Sequence, residues 1–178
     1  NKEQGAVTWE TCTLRNWLNS TFVSNAFSEE EQAAIKTTKV INEDNLNCGT
    51  DGGNDTMDKV YLLSINEASD ENFGFNGLFS VSEPTKTRTA NETWWLRSPS
   101  SAISGTTTSS SATTVGEDGS GGAGVLGFLG QGASNWNGVR PVLHLDLSVR
   151  CWEKANVVRA EDICSTWDCV YFGKYCID

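Results

Sequence analysis

The sequence is poor in several features that identify common functional classes. Its 178 residues include one histidine, one methionine and three prolines. The uninterrupted apolar runs are only a few residues long, whereas a helix that crosses a bilayer needs about 20. Lysine and arginine number 13 against 23 aspartates and glutamates, which gives a net charge of −10. Because the apolar runs are so short, we expect no insertion into a membrane. Because the negative charge repels phosphate groups, we expect binding neither to nucleic acid nor to an anionic membrane surface.

The usual patterns of nucleophilic and metal-dependent catalysis are also missing. The sequence contains neither a GxSxG nor an HExxH motif, and its single histidine is His144. His144 lies between Arg140 and Asp146 in a segment that alternates like a strand. An isolated histidine on a strand is more often a structural or surface residue than a general base. We therefore expect a protein that is not an enzyme.

One glycine-rich segment, residues 122–127, matches the GxGxxG pattern of dinucleotide-binding proteins. In those proteins the glycines open a helix whose first amide groups bind the pyrophosphate. The residues that follow here, FLGQGASN, are not typical of a stable helix. The segment is therefore interpreted as a glycine-rich hairpin, and no nucleotide cofactor is expected.

The cysteines are even in number, which is typical of a disulfide-bonded extracellular protein. They include no CxxC pair, and a zinc site is not expected with a single histidine available. Disulfides are predicted without an assigned pairing, and buried free thiols are the alternative. The disulfide candidates are Cys12, Cys48, Cys151, Cys164, Cys169 and Cys176.

Four side chains with carboxylate or amide oxygens occur between residues 51 and 58, and they are Asp51, Asn54, Asp55 and Asp58. Carboxylate and amide oxygens are the ligands that calcium prefers, although the spacing is not that of an EF-hand. Asp and Asn beside Gly are also the normal residues of turns. Calcium is therefore a candidate cofactor of this loop, and a purely structural loop is the alternative.

Two helices are predicted near the start of the chain. Apolar residues at helical spacing predict a helix from about Thr11. Its buried face would be formed by Leu14, Trp17, Leu18 and Phe22. Ser28 followed by Glu31 is a capping box, in which each side chain bonds the main-chain N–H of the other residue. It predicts a second helix that ends near Ile35.

Strand patterns follow these helices. The predicted strands are residues 37–41, 60–63, 93–96 and 139–147, the last alternating cleanly between two faces. The Ser- and Thr-rich segment Ser98–Thr114 is expected to be a flexible loop, and Asp118-Gly119 marks a hairpin turn. Short helices early and antiparallel strands late indicate an α+β domain.

Several segments together resemble one bacterial domain family of unknown function, common in secreted, multidomain proteins. The likeness extends over about Val7 to Leu147 and is specific in order and spacing. The segments are VTWETCTLRNWLN (7–19), AFSEEE (26–31), GGNDTMDKVYLLS (52–64), WWLRSP (94–99) and GVRPVL (138–143). That family looks related to the C-type-lectin-like fold shared by formylglycine-generating enzymes and the variable proteins of diversity-generating retroelements.

The resemblance implies a C-type-lectin-like fold, with small twisted antiparallel sheets, two or three short helices and long loops. It implies a non-enzymatic binding or adhesion domain, extracellular or at the cell surface, whose ligand is a glycan or a protein. The copper-binding cysteine pair of formylglycine-generating enzymes has no counterpart here. The EPN triplet of calcium lectins is absent, and Glu83-Pro-Thr85 is a near miss.

The ligand is expected on the loops around Ser98–Thr114 and Gly130–Asn137. In the second loop, Asn135, Trp136 and Asn137 approximate the WND triplet of lectins. An exposed Trp136 would stack on a sugar ring while the two amides form hydrogen bonds with it. A buried tryptophan is the alternative.

The likeness predicts a C-type-lectin-like domain over residues 1–150 and a cysteine-rich tail over residues 151–178. Members of the family open with a strand resembling VxFGxY, whereas here VYFGKY stands at Val170–Tyr175. Cys169–Tyr175 is therefore predicted to be a strand that completes a sheet, in its own chain or in a neighbouring copy or repeat. The alternative function is a repeating structural subunit of an extracellular filament or surface array, assembled by strand addition.

Overall fold

The computed structural model describes residues 7–75, 88–101, 105–121, 131–132, 137–149, 170–172 and 175–177. Over these residues the fold is α+β, as predicted, with short helices and small antiparallel sheets. The helical segments are α1 (Thr13–Trp17), a π-helical turn (Leu18–Phe22), α2 (Val23–Ala26), α3 (Glu29–Ala34) and two 3-10 helices (Glu67–Ser69, Glu71–Phe73). The strands are β1 (Ile35–Lys36), β2 (Thr38–Val40), β3 (Thr56–Asp58), β4 (Val60–Tyr61), β5 (Trp94–Pro99), β6 (Ser111–Val115), β7 (Gln131–Gly132), β8 (Val142–Leu145), β9 (Val170–Phe172) and β10 (Tyr175–Ile177).

The chain divides into two compact units. The first unit comprises Asn1–Cys12, Val40–Thr56 and Leu62–Val139. The second unit comprises Thr13–Lys39, Met57–Tyr61 and Arg140–Asp178. The predicted boundary at residue 150 lies outside the described residues, so the division into 1–150 and 151–178 stays a prediction.

The predicted first helix begins at Thr13 and changes its winding at the π-helical turn. The buried residues Leu18 and Val23 are five positions apart, the spacing that the i→i+5 bonds of a π-helix produce. Trp17, which was expected to be buried, is 48% exposed. Because the buried side follows Leu18 and Val23, Trp17 falls beside it and packs on Phe22 instead, with ring centroids 5.4 Å apart.

The second predicted helix is confirmed as α3. The Glu31 N–H donates to the Ser28 hydroxyl, and the Ser28 N–H donates to Glu31 Oε2 over 2.8 Å. The helix ends at Ala34, and Ile35 begins β1. The capping box therefore predicted both the start and the approximate end of this element.

The sheet of the second unit has the order β1-β8-β4, and both neighbours are antiparallel to β8. Ile35 lies opposite Leu145, and Val60 lies opposite Leu143. The predicted strand over residues 139–147 is confirmed for its centre, β8. Leu147 lies past the end of β8 in a turn and is 79% exposed.

In the first unit, β6 pairs antiparallel with both β5 and β7. The prediction that all of Ser98–Thr114 is a loop was wrong at both ends, because β5 extends to Pro99 and β6 begins at Ser111. Thr113 is fully buried, and its hydroxyl donates to the Ser98 carbonyl over 3.0 Å. A hydroxyl satisfied by the neighbouring strand can occupy a strand interior, which the polar composition had concealed.

The predicted turn after β6 is confirmed. The Gly119 N–H donates to the Gly116 carbonyl over 2.9 Å, and Gly119 has a φ of 79°. This left-handed conformation favours glycine because it has no Cβ. Val115 then bridges Gly121 in antiparallel fashion.

The tail forms a hairpin, in which β9 pairs antiparallel with β10 and Phe172 lies opposite Tyr175. The predicted single strand over Cys169–Tyr175 was therefore wrong in its extent, since the chain reverses before Tyr175. Within the described residues, the two strands pair only with each other. Whether the hairpin completes another sheet stays a prediction.

Candidate ligand-binding surface

Of the three residues predicted to bind a sugar, the structure describes one. Asn135 and Trp136 lie outside the described residues, as does the glycine-rich segment 122–127. Asn137 is half-buried beside Gly138, whose N–H donates to the Thr93 carbonyl over 2.7 Å. The side-chain nitrogen of Asn137 is inaccessible to solvent and has no acceptor. An unused buried donor is unfavourable by about 1–3 kcal/mol.

Three of the four predicted calcium ligands lie in the first unit. Asp51 Oδ1 accepts the Gly53 N–H over 2.8 Å, and Asp55 Oδ1 accepts the Asn42 N–H over 3.1 Å. The Asn54 amide donates to the Glu10 carboxylate. The bond of Asp51 is the turn-forming bond of the structural alternative, and the other two bonds join the loop to distant residues of the same unit.

The fourth predicted ligand, Asp58, belongs to the second unit, where its buried carboxylate accepts from Arg15 Nε over 2.8 Å. Among the described residues, no group of three or more His, Cys, Asp or Glu side chains could hold a metal ion. The geometry therefore gives the calcium site no support, and calcium binding stays a prediction.

The Gly52-Gly53 pair lies tightly against the rest of the first unit. A Cβ on Gly52 would come within 2.3 Å of the Asn42 carbonyl oxygen, and one on Gly53 would lie 2.9 Å from the Thr8 side chain. The Gly52 N–H also donates to Asp44 Oδ1 over 3.0 Å. The loop that carries Asp51 is therefore packed closely against Thr8, Asn42 and Asp44.

A second loop, residues 105–110, lies against this one. The Asp51 N–H donates to the Thr107 carbonyl over 2.8 Å, and the Val7 N–H donates to the Ser109 carbonyl over 2.9 Å. The buried Ser109 hydroxyl donates to the Ser101 carbonyl over 2.7 Å. Between these anchors the side chains of Thr106, Thr107 and Thr108 are exposed. We call residues 105–110 the threonine loop.

The threonine loop belongs to the segment that the sequence predicted as a ligand-binding loop. Its anchoring was not predicted, because it depends on main-chain bonds from Val7 to Ser109 and from Asp51 to Thr107, which join residues 102 and 56 positions apart in the chain. The Ser and Thr composition alone indicates flexibility. The described part of the segment instead presents its hydroxyl groups from a fixed backbone.

Arg97 is a residue whose position the sequence did not explain. Its guanidinium donates to the Leu62 and Ile41 carbonyls over 2.7 and 2.9 Å, and it forms an ion pair with Glu67. Its Nε donates to the Asn42 side chain over 3.2 Å. An arginine with this many bonds holds loops together and has little capacity left for a ligand. The only available signal was a charged residue within the apolar stretch WWLRSP.

A shallow hollow lies over Arg97. It is lined by Asn42, Glu43, Gly52, Ser64, Arg97, Ser98 and Pro99 and has about 150 Å³ of empty volume, part of it open solvent. Pockets for small organic ligands generally measure ~300–1,000 Å³. The hollow is therefore too small for such a ligand.

In the second unit, His144 is exposed on β8, and its Nε2 lies 2.8 Å from the Tyr61 hydroxyl. The two rings are stacked, with centroids 5.9 Å apart. Lys36 lies opposite His144 on β1. The single histidine is therefore paired with Tyr61 on one face of this sheet.

Two of the cysteines, Cys12 and Cys48, are described with their side chains, and both are half-buried. No disulfide occurs among the described residues. Cys176 lies in β10, whereas Cys151, Cys164 and Cys169 lie outside the described residues. No described helix is both long and apolar enough to span a membrane.

Comparison with known proteins identifies a family without assigning a function. No curated protein and no solved structure matches the chain. One family matches over residues 1–147, which is most of the sequence. The chain therefore belongs to the family described as Domain of unknown function (DUF6273).

Proposed function

We propose that this chain is an extracellular or cell-surface binding domain, without catalytic activity, whose first unit presents a loop surface to a glycan or a protein. The main support for the proposal is the exposure and the anchoring of the threonine loop. Exposed hydroxyls on a backbone anchored at Thr107 and Ser109 can bind a polar ligand without first becoming ordered. Preorganisation of this kind lowers the entropic cost of binding.

The chemistry of the surface favours a glycan over a protein. Protein interfaces are enriched in aromatic residues and arginine at their centre. The threonine loop and the adjacent Asp51 and Asn54 instead expose hydroxyl, carboxylate and amide groups, which form hydrogen bonds with sugar hydroxyls.

A C-type-lectin-like fold is part of the proposal. Small antiparallel sheets, short helices and long loops agree with the fold that the sequence resemblance implies. In such a fold the ligand-binding loops are carried by a rigid scaffold, which is common in binding proteins.

The test is a glycan array followed by calorimetry on any glycan that binds. The double variant Thr107→Ala, Thr108→Ala keeps the backbone anchors but removes two exposed hydroxyls. Losing two hydrogen bonds of about 0.5–1.5 kcal/mol each should weaken binding roughly tenfold. Trp136→Ala tests the second predicted site in the same assay.

The matched control is Thr13→Ala, Thr21→Ala, which removes two exposed threonine hydroxyls from the second unit and should leave the affinity unchanged. An array without any bound glycan, or a glycan bound equally by both double variants and by Trp136→Ala, would overturn the proposal for these loops.

The second candidate function is the repeating structural subunit. It is favoured by the tail hairpin, whose strands β9 and β10 have no other partner strand among the described residues. A two-stranded hairpin alone is only marginally stable in water, and its open edges can add to another sheet.

A further inference from the structure

The charge of the chain is concentrated in one of its two units. By sequence, the first unit contains thirteen Asp and Glu but only four Lys and Arg. The second unit contains ten acidic and nine basic residues. Nearly all of the net charge of −10 therefore belongs to the unit that carries the threonine loop.

The cations of the first unit do not offset this charge at the described surface. Arg88 and Arg97 are 0% and 7% exposed. Arg97 is bonded as described above, and Arg88 donates to the Gly119 carbonyl over 3.1 Å. Lys2 and Lys86 lie outside the described residues. In the described part of the first unit, carboxylates are exposed while no lysine or arginine is.

One exposed carboxylate, Asp51, adjoins the threonine loop, and a second exposed carboxylate, Asp44, bonds the residue that follows Asp51. Asp51 is the residue whose N–H donates to the Thr107 carbonyl, and Asp44 accepts the N–H of Gly52. In both side chains it is Oδ1 that accepts a main-chain N–H. A carboxylate has about four acceptor positions on its two oxygens, so both retain capacity for a ligand.

An independent observation points to the same place. The hydroxyl of Thr50, the residue before Asp51, is buried without a hydrogen-bond partner, and Thr50 is only 2% exposed. Buried polar groups are nearly always satisfied by protein, water or ligand. Thr50 directly precedes Asp51 in the chain, so this unsatisfied hydroxyl belongs to the same loop as the Asp51 carboxylate.

From these observations we propose that the threonine-loop surface binds a positively charged sugar, namely an amino sugar whose amine is not acetylated. The hydroxyls of the loop would bind the sugar ring, and Asp44 and Asp51 would bind its ammonium group. Acidic sugars would be repelled by the surrounding carboxylates. The inference rests on the proposed function and specifies the chemical class of its ligand.

The test compares oligosaccharides of one length and different charge by calorimetry at pH 5.5, where a sugar amine is protonated. The probes are a hexamer of β-1,4-linked glucosamine, its fully N-acetylated form, and a hexamer of β-1,4-linked glucuronic acid. The glucosamine hexamer should bind about tenfold more tightly than the acetylated one at low salt, and the acidic hexamer should bind least. Because exposed charges are screened, the ratio should fall at 0.5 M salt, where the Debye length is about 4 Å.

The variant Asp44→Asn, Asp51→Asn keeps an Oδ1 acceptor for the main-chain N–H groups but removes both charges. It should bind the glucosamine and acetylated hexamers with similar affinity. The matched control Glu71→Gln, Glu117→Gln removes two exposed charges from the same unit, away from the two aspartates in sequence. It should retain most of the preference for the amine.

Each other outcome counts against the inference in a distinct way. Glycan binding with no preference for the amine, or with a preference for the acidic hexamer, overturns this inference and leaves the proposed function standing. Tight binding of oligolysine without binding of any sugar assigns the surface to a basic protein and overturns the sugar class. Failure of every glycan to bind overturns the proposed function together with this inference.

Discussion

Two turns of the chain contain the same pair of side chains, an aspartate followed two residues later by a serine. Asp118 Oδ1 accepts the Ser120 N–H over 2.9 Å and its hydroxyl over 2.6 Å. Asp146 Oδ1 accepts the same two groups of Ser148 over 3.0 and 2.6 Å. Bonds to the ionised form favour it, so the serine side chain, followed by its N–H, lowers the pKa of each aspartate.

Replacing Ser120 with alanine should raise the pKa of Asp118 toward its ordinary value of about 3.9, because the strongest of the bonds that lower it is lost. NMR titration of the side-chain carboxyl measures this pKa directly. Ser148→Ala is the matched control, and it should raise the pKa of Asp146 while leaving Asp118 unchanged. A pKa of Asp118 that does not change in Ser120→Ala would contradict the assignment.

The lowered pKa of Asp118 also determines how its contribution to the stability of the fold changes with pH. A carboxyl whose pKa is lower in the folded chain than in the unfolded chain stabilises the fold above the unfolded pKa. That contribution is lost as the pH falls through the lower, folded-state pKa. The difference in stability between the wild type and Ser120→Ala should therefore be present near neutral pH and vanish in strong acid.

At the scale of single elements, the π-helical turn has a specific consequence for the second unit. It places Asn19 where its amide donates to the Arg15 and Val60 carbonyls over 3.1 and 2.8 Å. The Asn19 oxygen accepts the N–H groups of Lys59 and Val60 over 2.7 and 3.1 Å. One side chain therefore bonds three main-chain groups at the start of β4.

Asn19→Ala should lower the free energy of unfolding by about 2–4 kcal/mol, because it leaves several partly buried main-chain groups without partners. Asn19→Asp keeps the acceptor but loses the donor, and should be intermediate. Chemical denaturation measures both changes. The matched control is Asn25→Ala, at an exposed position of α2, where a change within about 0.5 kcal/mol is expected. Equal effects at Asn19 and Asn25 would show that the four bonds do not stabilise the fold.

At the scale of the whole molecule, the tail provides the test of the structural alternative. The hairpin of β9 and β10 brings the apolar residues Val170 and Ile177 opposite each other. A hairpin of this kind gains stability when a further strand or sheet packs on it. The role of the tail is therefore measurable as either stability or association.

Deleting residues 165–178 should lower the melting temperature if the hairpin completes a sheet of its own chain. If it adds to a neighbouring copy, the deletion should abolish self-association. Thermal denaturation and light scattering over a range of concentrations measure the two quantities on the same sample. A truncated chain with both its melting temperature and its state of association unchanged would show that the tail is only a linker.

Sequence by itself determined the parts of this protein that depend on residues close together in the chain. The capping box of Ser28 and Glu31, the turn at Asp118-Gly119 and the strand β8 were all predicted from neighbours within a few positions, and all three are present. Local hydrogen bonds and side-chain periodicity are sufficient to specify such features. The same local patterns were also sufficient to predict the α+β fold class.

Only the tertiary structure decided which distant segments meet. The position of β8 between β1 and β4, the carbonyls that Arg97 binds, and the anchoring of the threonine loop beside Asp51 all join residues far apart in the chain. The exposure of Trp17 likewise followed from the extra residue of the π-helical turn. A polar segment can form a strand instead of a loop when a distant segment satisfies its hydrogen bonds. Which distant segment does so depends on the packing of the whole unit and not on the local sequence.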